Sequence, residues 1–315
     1  MNINDSVIQT ALLLKIIFLD EPLVNHWAEE LKKIIRIEYP DIIFSENRYS
    51  FIPTMDIDVA YAYLGRSLSV TIASYLKTIS KFQFRTAIQK KLVILRLKKD
   101  PYDTFDYQES IFKKYKLNPI YFFLAGKRGP YDKNISPESS KFKKLVKKIS
   151  SFAKIGIHPS YQSGSDAKIV AEEIIKVERN ISKKITCSRQ HFLKLNLPDT
   201  YRCLAKLGIT DDYTMTYAGA VGFRASICTP FFFYDLQAEI VLPVKIHSGS
   251  VMDGTLNEYL KLSPMDAVSV IGELIQKVKN VKGEFIPIWH NHSISEYGHW
   301  RGWKTVFETM METAN

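Results

Sequence analysis

Four short apolar runs each end on a polar cluster, and this arrangement restricts the fold more than any other feature of the chain. The runs are Phe51-Ile52-Pro53, Lys154-Ile155-Gly156-Ile157, Ile185-Thr186-Cys187-Ser188 and Phe285-Ile286-Pro287-Ile288. The clusters that close them are Thr54-Met55-Asp56-Ile57-Asp58, His158-Pro159-Ser160-Tyr161, Arg189-Gln190-His191 and Trp289-His290-Asn291-His292. Short apolar runs bounded by polar residues read as buried parallel strands. Helical stretches lie between them, and alternating strands and helices imply a parallel sheet. About seven strands with polar groups at their ends favour a closed or nearly closed barrel over an open doubly wound sheet. Side chains at the C-terminal strand ends of a barrel converge on one mouth. Two aspartates and several histidines meeting there point to a metal-dependent hydrolytic site.

The chain of 315 residues suits one large α/β domain or two small ones, and its 46% hydrophobic content supports a full core. Helices are expected over 6–20 and 23–37, forming a helical N-terminal extension over 1–49 ahead of a main domain over 50–315. In the main domain, helices are expected over roughly 64–99, 101–116, 138–151, 166–180, 198–208 and 263–281, with a last one from about Trp303. Short strands are expected near Gly222 to Ser226 and Glu239 to Val244. No G-x-G-x-x-G or Walker loop supports nucleotide binding. The three cysteines, Cys187, Cys203 and Cys228, have no C-x-x-C spacing, which argues against a disulfide framework and a thiolate zinc site.

The formal net charge is +10. Much of it lies between Arg85 and Lys99 and between Lys141 and Lys148. Solvated helix faces are the plain reading. Attraction to an anionic partner, such as a membrane surface or a phosphorylated carrier, is the functional one. Nucleic acid is not expected, because no recognised motif accompanies the charge. Asp5 and Lys15 interrupt what would be a secretory signal. These features predict a cytoplasmic protein, with peripheral contact at the inner face of the membrane as the reading of its charge.

Asp56 and Asp58 stand two apart on a strand and so share a face. Close carboxylates repel unless a cation or a shared proton intervenes. One metal ligand and one general base would satisfy both. His158, His191, His290 and His292 could each be structural if met alone, but strand ends bearing them together suggest one site. Asp212 and Arg224 could support it, since an arginine beside a carboxylate fixes its orientation.

Together these residues resemble the polysaccharide deacetylase family, also called the NodB-homology or carbohydrate esterase family 4 group, over roughly residues 50–315. The matching segments are Asp56-Ile57-Asp58, Ile155 to Tyr161, Ser188 to Leu193, Asp212 to Tyr217 with Gly222 to Ala225, and Trp289-His290-Asn291. The resemblance is to a bacterial branch of the family. It implies an α/β fold, a deformed (β/α) barrel, a divalent metal (usually zinc, Zn2+) and hydrolysis of an N-acetyl group on a sugar. It assigns Asp56 as the base acting on water, Asp58 and His158 as metal ligands, and His290 as the acid that protonates the leaving amine. Arg224 and Asp212 resemble its supporting residues. The family's second metal histidine falls four residues after the first, which here is Gln162, a poor zinc ligand. His191 is expected to replace it. The oxyanion is expected near the backbone of Thr216-Tyr217. The implied partner is an N-acetylated glycan or carrier-linked sugar. A deformylase or amidohydrolase acting on another amide, a catalytically altered glycan-binding relative and an interaction protein using its basic face are the alternatives.

Overall fold

A computed structural model describes residues 18–315. The helix expected over 6–20 falls almost wholly outside them. The elements before the first functional strand end are α1 (Leu23–Glu38), β1 (Ser50–Phe51) and β2 (Thr54–Ile57). Then come α2 (Leu68–Ser80), α3 (Phe84–Ile94), α4 (Phe105–Lys114), β3 (Ile120–Leu124), α5 (Ser140–Ile149) and β4 (Lys154–His158). Next are α6 (Ala167–Glu178), β5 (Cys187–Ser188), α7 (Asp199–Lys206) and β6 (Asp211–Asp212). The chain ends with β7 (Phe231–Asp235), β8 (Ile240–Ile246), β9 (Val251–Met252), α8 (Pro264–Asn280), β10 (Glu284–Phe285), β11 (Pro287–His290) and α9 (Trp303–Ala314).

Nine strands form one sheet in the order β7-β8-β6-β5-β4-β3-β2-β11-β9, and β1 pairs with β10 beside it. All pairs are parallel except β7 with β8. One segment links the two sides of this order. Lys245 and Ile246 register with Asp211 and Asp212, while Val251 and Met252 register with Pro287 and Ile288. Between them the His247 N–H donates to Asp212, Gly249 to Met215 and Ser250 to Ile286. Residues 245–252 therefore bind β6 at one end and the β10–β11 strand at the other.

The central strands are buried on both faces, which explains why their sequences run apolar rather than alternating. Met55, Ile57, Tyr121, Phe123, Ile155 and Ile157 belong to the large core shared with the helices. Ile120, Phe122, Cys187, Tyr213 and Ile286 form a separate cluster on the opposite face. Gly156 leaves room there, since a Cβ would stand 2.5 Å from Phe122 Cδ1.

Two local expectations differ from the structure. The helix expected over 64–99 is a hairpin, because Phe82 adopts φ 55° and its neighbours close a left-handed cap, with N–H of Phe82 and Gln83 donating to Ile79 and Thr78. No strand forms over Gly222 to Ser226. The strand lies instead at β7, where Phe231 to Tyr234 alternate between half-buried and exposed on an antiparallel edge.

His247 fastens the linking segment. Its Nδ1 lies 2.7 Å from Glu284 Oε2, its Nε2 lies 3.0 Å from Asp211 Oδ1, and its ring stacks on Tyr213 at 4.5 Å. Burial opposes charging of this imidazole, but the two carboxylates outweigh it and raise it above its ordinary 6.5. The His247 hydrogen bond holds Asp211, against burial, at about 2 instead of 3.8. The histidine's contribution to stability is therefore complete below pH 6.5 and is lost as pH rises through the raised value. That of Asp211 is complete above 3.8 and is lost as pH falls through about 2. We expect the urea-unfolding free energy to decline as pH is raised from 6.5, and His247→Gln to make that decline shallower. A wild-type curve that stays flat above 6.5 would contradict the assignment.

Candidate active site

The C-terminal strand ends place Asp56, Asp58, His158, His191, His290 and His292 around one cavity of about 180 Å³. Asp56 and Asp58 come from β2 and the residue after it, His158 from the end of β4, and His290 from the end of β11. His191 follows β5 on a turn whose next two residues have positive φ, Phe192 at 59° and Leu193 at 52°. Neither is glycine, so this turn carries backbone strain, a frequent property of site loops. It lets His191, Phe192 and Leu193 all line the cavity.

Asp58 is the centre of the cluster. Its carboxylate lies 3.1 Å from His158 Nε2 and 3.4 Å from both His191 Nε2 and His290 Nε2. Burial pushes its carboxyl up, but His191, His290 and His158 outweigh that and hold it well below the usual range. Asp58, His158 and His191 each bring a ligand atom within 4.8 Å of the others.

Each imidazole is fixed by its other nitrogen. His158 Nδ1 meets the carbonyl of Arg189 at 2.5 Å, so it must donate there, which turns Nε2 toward Asp58. His191 Nδ1 meets Asp132 at 2.8 Å, and His290 Nδ1 meets Asp253 at 2.7 Å. Asp253 also accepts from the His290 backbone N–H at 2.7 Å and from the Ser293 hydroxyl. Burial opposes charge on His290, yet Asp253 and Asp58 raise it well above the ordinary histidine range. His191 is raised to about 9, with burial opposing and Asp58 and Asp132 prevailing. His292 is the opposite case. Burial and the neighbouring His290 push it down to about 4.

Asp56 has a separate cation. The Arg189 Nη1 donates to Asp56 Oδ1 and to Thr54 Oγ1, both at 2.8 Å, while its Nε donates to the Tyr213 carbonyl at 3.0 Å. The guanidinium is fully buried and lies over the Phe122 ring at 4.5 Å. Arg189 is therefore the arginine beside Asp56, and Arg224 is not. Arg224 is half-buried and donates to the Leu193 carbonyl at 3.4 Å. Asp212 points to the other face of its strand. It accepts from Ser188 Oγ at 2.7 Å and from Thr214, whose hydroxyl accepts the Gln190 N–H at 2.9 Å. Asp212 thus braces the loop that carries Arg189 and His191.

The Gln162 side chain is exposed and does not line the cavity, although its backbone N–H reaches Asp132 at 3.4 Å. Thr216 and Tyr217 also lie off the cavity, and the Thr216 N–H is taken by the Thr214 carbonyl. Asp132 and Asp253 escape the sequence reading. Asp253 follows the short β9 and carries the strand-end signal that identified the others. Asp132 sits in a loop with no local signal.

The chemistry of the donor set fits a divalent ion. One carboxylate and two imidazole nitrogens, each imidazole held by its far side, are the ligand type of catalytic zinc sites, which leave a further position for water or substrate.

No protein-family model matches the chain, and no curated protein matches it. Among solved structures, it is similar to a candidate polysaccharide deacetylase from Mycobacterium smegmatis, at 12% identity over 86% of each chain with a TM-score of 0.54. More remote are a polysaccharide deacetylase from Bacillus cereus and a CE4 family pseudoenzyme from Bacillus anthracis. The first is 11% identical with a TM-score of 0.36, covering 85% of this chain and 88% of that one. The second is 11% identical with a TM-score of 0.38, covering 85% and 62%. The first likeness establishes a shared fold.

Removing one partner of a buried ion pair leaves the other charge uncompensated. We therefore expect Arg189→Met to cost about 3–5 kcal/mol in chemical denaturation. A loss below about 1 kcal/mol would show that the pair does not hold Asp56 as described.

Proposed function

We propose that this protein is a metal-dependent deacetylase that removes the N-acetyl group from a sugar, working at the mouth of a deformed barrel closed through residues 245–252. The observation that carries the proposal is the grouping around Asp58. Two imidazole Nε2 atoms face its carboxylate, with a carboxylate–arginine pair on one side and an imidazole–carboxylate pair on the other. The fold shared with the Mycobacterium smegmatis protein supports the same reading.

Asp58, His158 and His191 would hold the metal, with zinc favoured by the nitrogen-rich donor set. When bound, such an ion lowers the pKa of water and polarises an amide carbonyl. Asp56 accepts the proton of the attacking water. Arg189, bonded to one of its oxygens, fixes the orientation of the carboxylate and leaves the other oxygen, Oδ2, to receive the proton. His290 holds a proton on Nε2, facing the cavity, because Asp253 takes the Nδ1–H. It delivers that proton to the departing amine. Asp253 acts through His290 and is a positioning residue.

The cavity, about 180 Å³, is smaller than the roughly 300–1,000 Å³ of sites that enclose a drug-sized ligand. One acylated sugar can enter while its neighbours rest on the rim. The exposed Phe192 and Tyr259 line that rim, and Tyr161 packs on Phe192 at 5.5 Å, while Trp300 is buried in the cavity wall. Aromatic faces of this kind suit sugar rings. We take the substrate to be an N-acetylated glycan or carrier-linked sugar in the cytoplasm.

The test combines metal analysis with acetate release from N-acetylglucosamine oligomers. We expect about one zinc per chain, lost in Asp58→Ala and His191→Ala and kept in Gln162→Ala. Asp56→Asn and His290→Gln should keep the metal and lower kcat by about 10²–10⁴-fold. Metal that survives His191→Ala would move the third ligand elsewhere. A protein that takes no metal on reconstitution would overturn the hydrolase reading in favour of a glycan-binding role. Metal with activity only on formyl or non-sugar amides would overturn the sugar substrate.

A further inference from the structure

The hairpin of α2 and α3 has a composition that the proposed reaction does not use. Residues 59–99 contain nine lysines and arginines and no aspartate or glutamate. Six of the cations, Lys77, Lys81, Arg85, Lys91, Arg96 and Lys98, are exposed and form no ion pair among the described residues. Large apolar side chains stand exposed between them. Leu68, Ile72 and Leu76 follow one another along α2 at helical spacing. Phe82 and Phe84 occupy the hairpin tip, with Phe82 79% exposed, and Ile88 continues the apolar row on α3.

The hairpin is held as a unit. Lys90 Nζ donates to the Ser74 carbonyl at 3.1 Å and its hydroxyl at 3.0 Å, and also meets Thr78 Oγ1, so it ties α3 to α2. Asp100 accepts from the backbone N–H of Ala62, Tyr63 and Leu64 at 2.8, 2.9 and 3.1 Å, which straps the base. The Tyr63 hydroxyl lies 3.1 Å from that of Tyr297, in the segment that follows the His290 strand end. The hairpin therefore rises from the same edge of the sheet as the cavity.

We propose that this hairpin docks the protein on an anionic lipid surface, its apolar side chains in the headgroup layer and its cations against the lipid charges. Cations interleaved with exposed apolar residues on helices are the composition of segments that lie in a membrane interface. A second copy of the chain is a poor occupant, because facing two such hairpins would oppose like charges. The first seventeen residues carry a single acid, Asp5, too little to neutralise the face. A nucleic acid would match the cations but would leave the phenylalanines and leucines uncovered. No described helix is long and apolar enough to cross a membrane, which fits attachment to the surface. The docking stands on the hairpin alone. Only its consequence, that a lipid-carried sugar meets the cavity near the headgroups, rests on the proposed function.

The test is flotation of the full chain with phosphatidylcholine vesicles, with and without an equal amount of phosphatidylglycerol. We expect binding to the anionic vesicles only. Lys81→Gln with Arg85→Gln should lower it about tenfold or more, and so should Phe82→Ser with Phe84→Ser, both retaining the wild-type melting transition. Equal binding to neutral vesicles, or none to anionic ones, overturns the proposal. So does binding that duplex DNA abolishes and the serine pair leaves unchanged, which would mark a polyanion site. A dimer in sedimentation velocity that the serine pair dissociates, without vesicle binding, would make the face a self-association surface. These readouts do not use acetate release, so they fail or succeed apart from the deacetylase reading.

Discussion

Two carboxylates on the same face of one buried strand cannot both stay charged without a cation for each. Asp56 and Asp58 stand in that relation, and much of the surrounding architecture is arranged around it. Asp56 is matched by Arg189, a guanidinium with no exposure to solvent. Asp58 faces three imidazoles. The separation matters chemically. A permanent cation on Asp56 fixes its orientation without competing for the ligands, while imidazoles can serve Asp58 as bases, as acids or as metal donors according to their protonation. Gly156 belongs to the same arrangement. Its missing side chain admits Phe122, and Phe122 supports the Arg189 guanidinium.

The imidazoles would be useless if they rotated. Each is held from behind, His158 by the Arg189 carbonyl, and His191 and His290 by the carboxylates of Asp132 and Asp253. A carbonyl can only accept, so it sets a tautomer without adding charge. A carboxylate sets the tautomer and also favours the protonated ring. The loops that carry these groups are braced in turn. Glu173 accepts from both the backbone and the hydroxyl of Ser160 at 2.9 and 2.6 Å, and the Asp212–Thr214–Gln190 chain holds the loop after β5. Arg189 links the two sets, its side chain serving Asp56 and its carbonyl serving His158.

The strand ends were legible because a buried parallel strand is apolar throughout, so a polar cluster at its end stands out. Asp56, Asp58, His158, His191 and His290 all announce themselves in this way. The α/β alternation is readable for the same reason. The partner groups are harder to see. Arg189 sits in a recognised signature, yet nothing local says that it spans the sheet to reach Asp56 from another strand. Asp132 lies in a loop, where position depends on the Tyr161 and Gln162 backbone N–H groups it accepts. Asp212 and Arg224 look like a pair in sequence, but alternation along β6 sends Asp212 away from the cavity. The hairpin over 68–94 reads as a single helix because no glycine or proline marks its break. The residue that turns the chain there is Phe82, held in the left-handed region by cap hydrogen bonds.

The loops after β4 and β5 explain how an imidazole can come from either. The strands are hydrogen-bonded neighbours, with Ile157 opposite Ser188. Pairing continues past the strand ends, where the N–H of Arg189 donates to Ile157 and that of His191 to Pro159, both at 3.1 Å. The second loop therefore runs beside the residue after His158. A side chain four residues beyond His158 and one two residues beyond Arg189 can approach the same volume from different directions. Here the first, Gln162, turns to solvent, and His191 fills the place with its ring 5.1 Å from that of His158. Asp132 binds both arrangements together, because it accepts from the Gln162 backbone and from the His191 ring. The metal site proposed here would require an imidazole nitrogen at one point in space with a carboxylate behind it, and adjacent parallel strands offer two places in the chain from which to supply it.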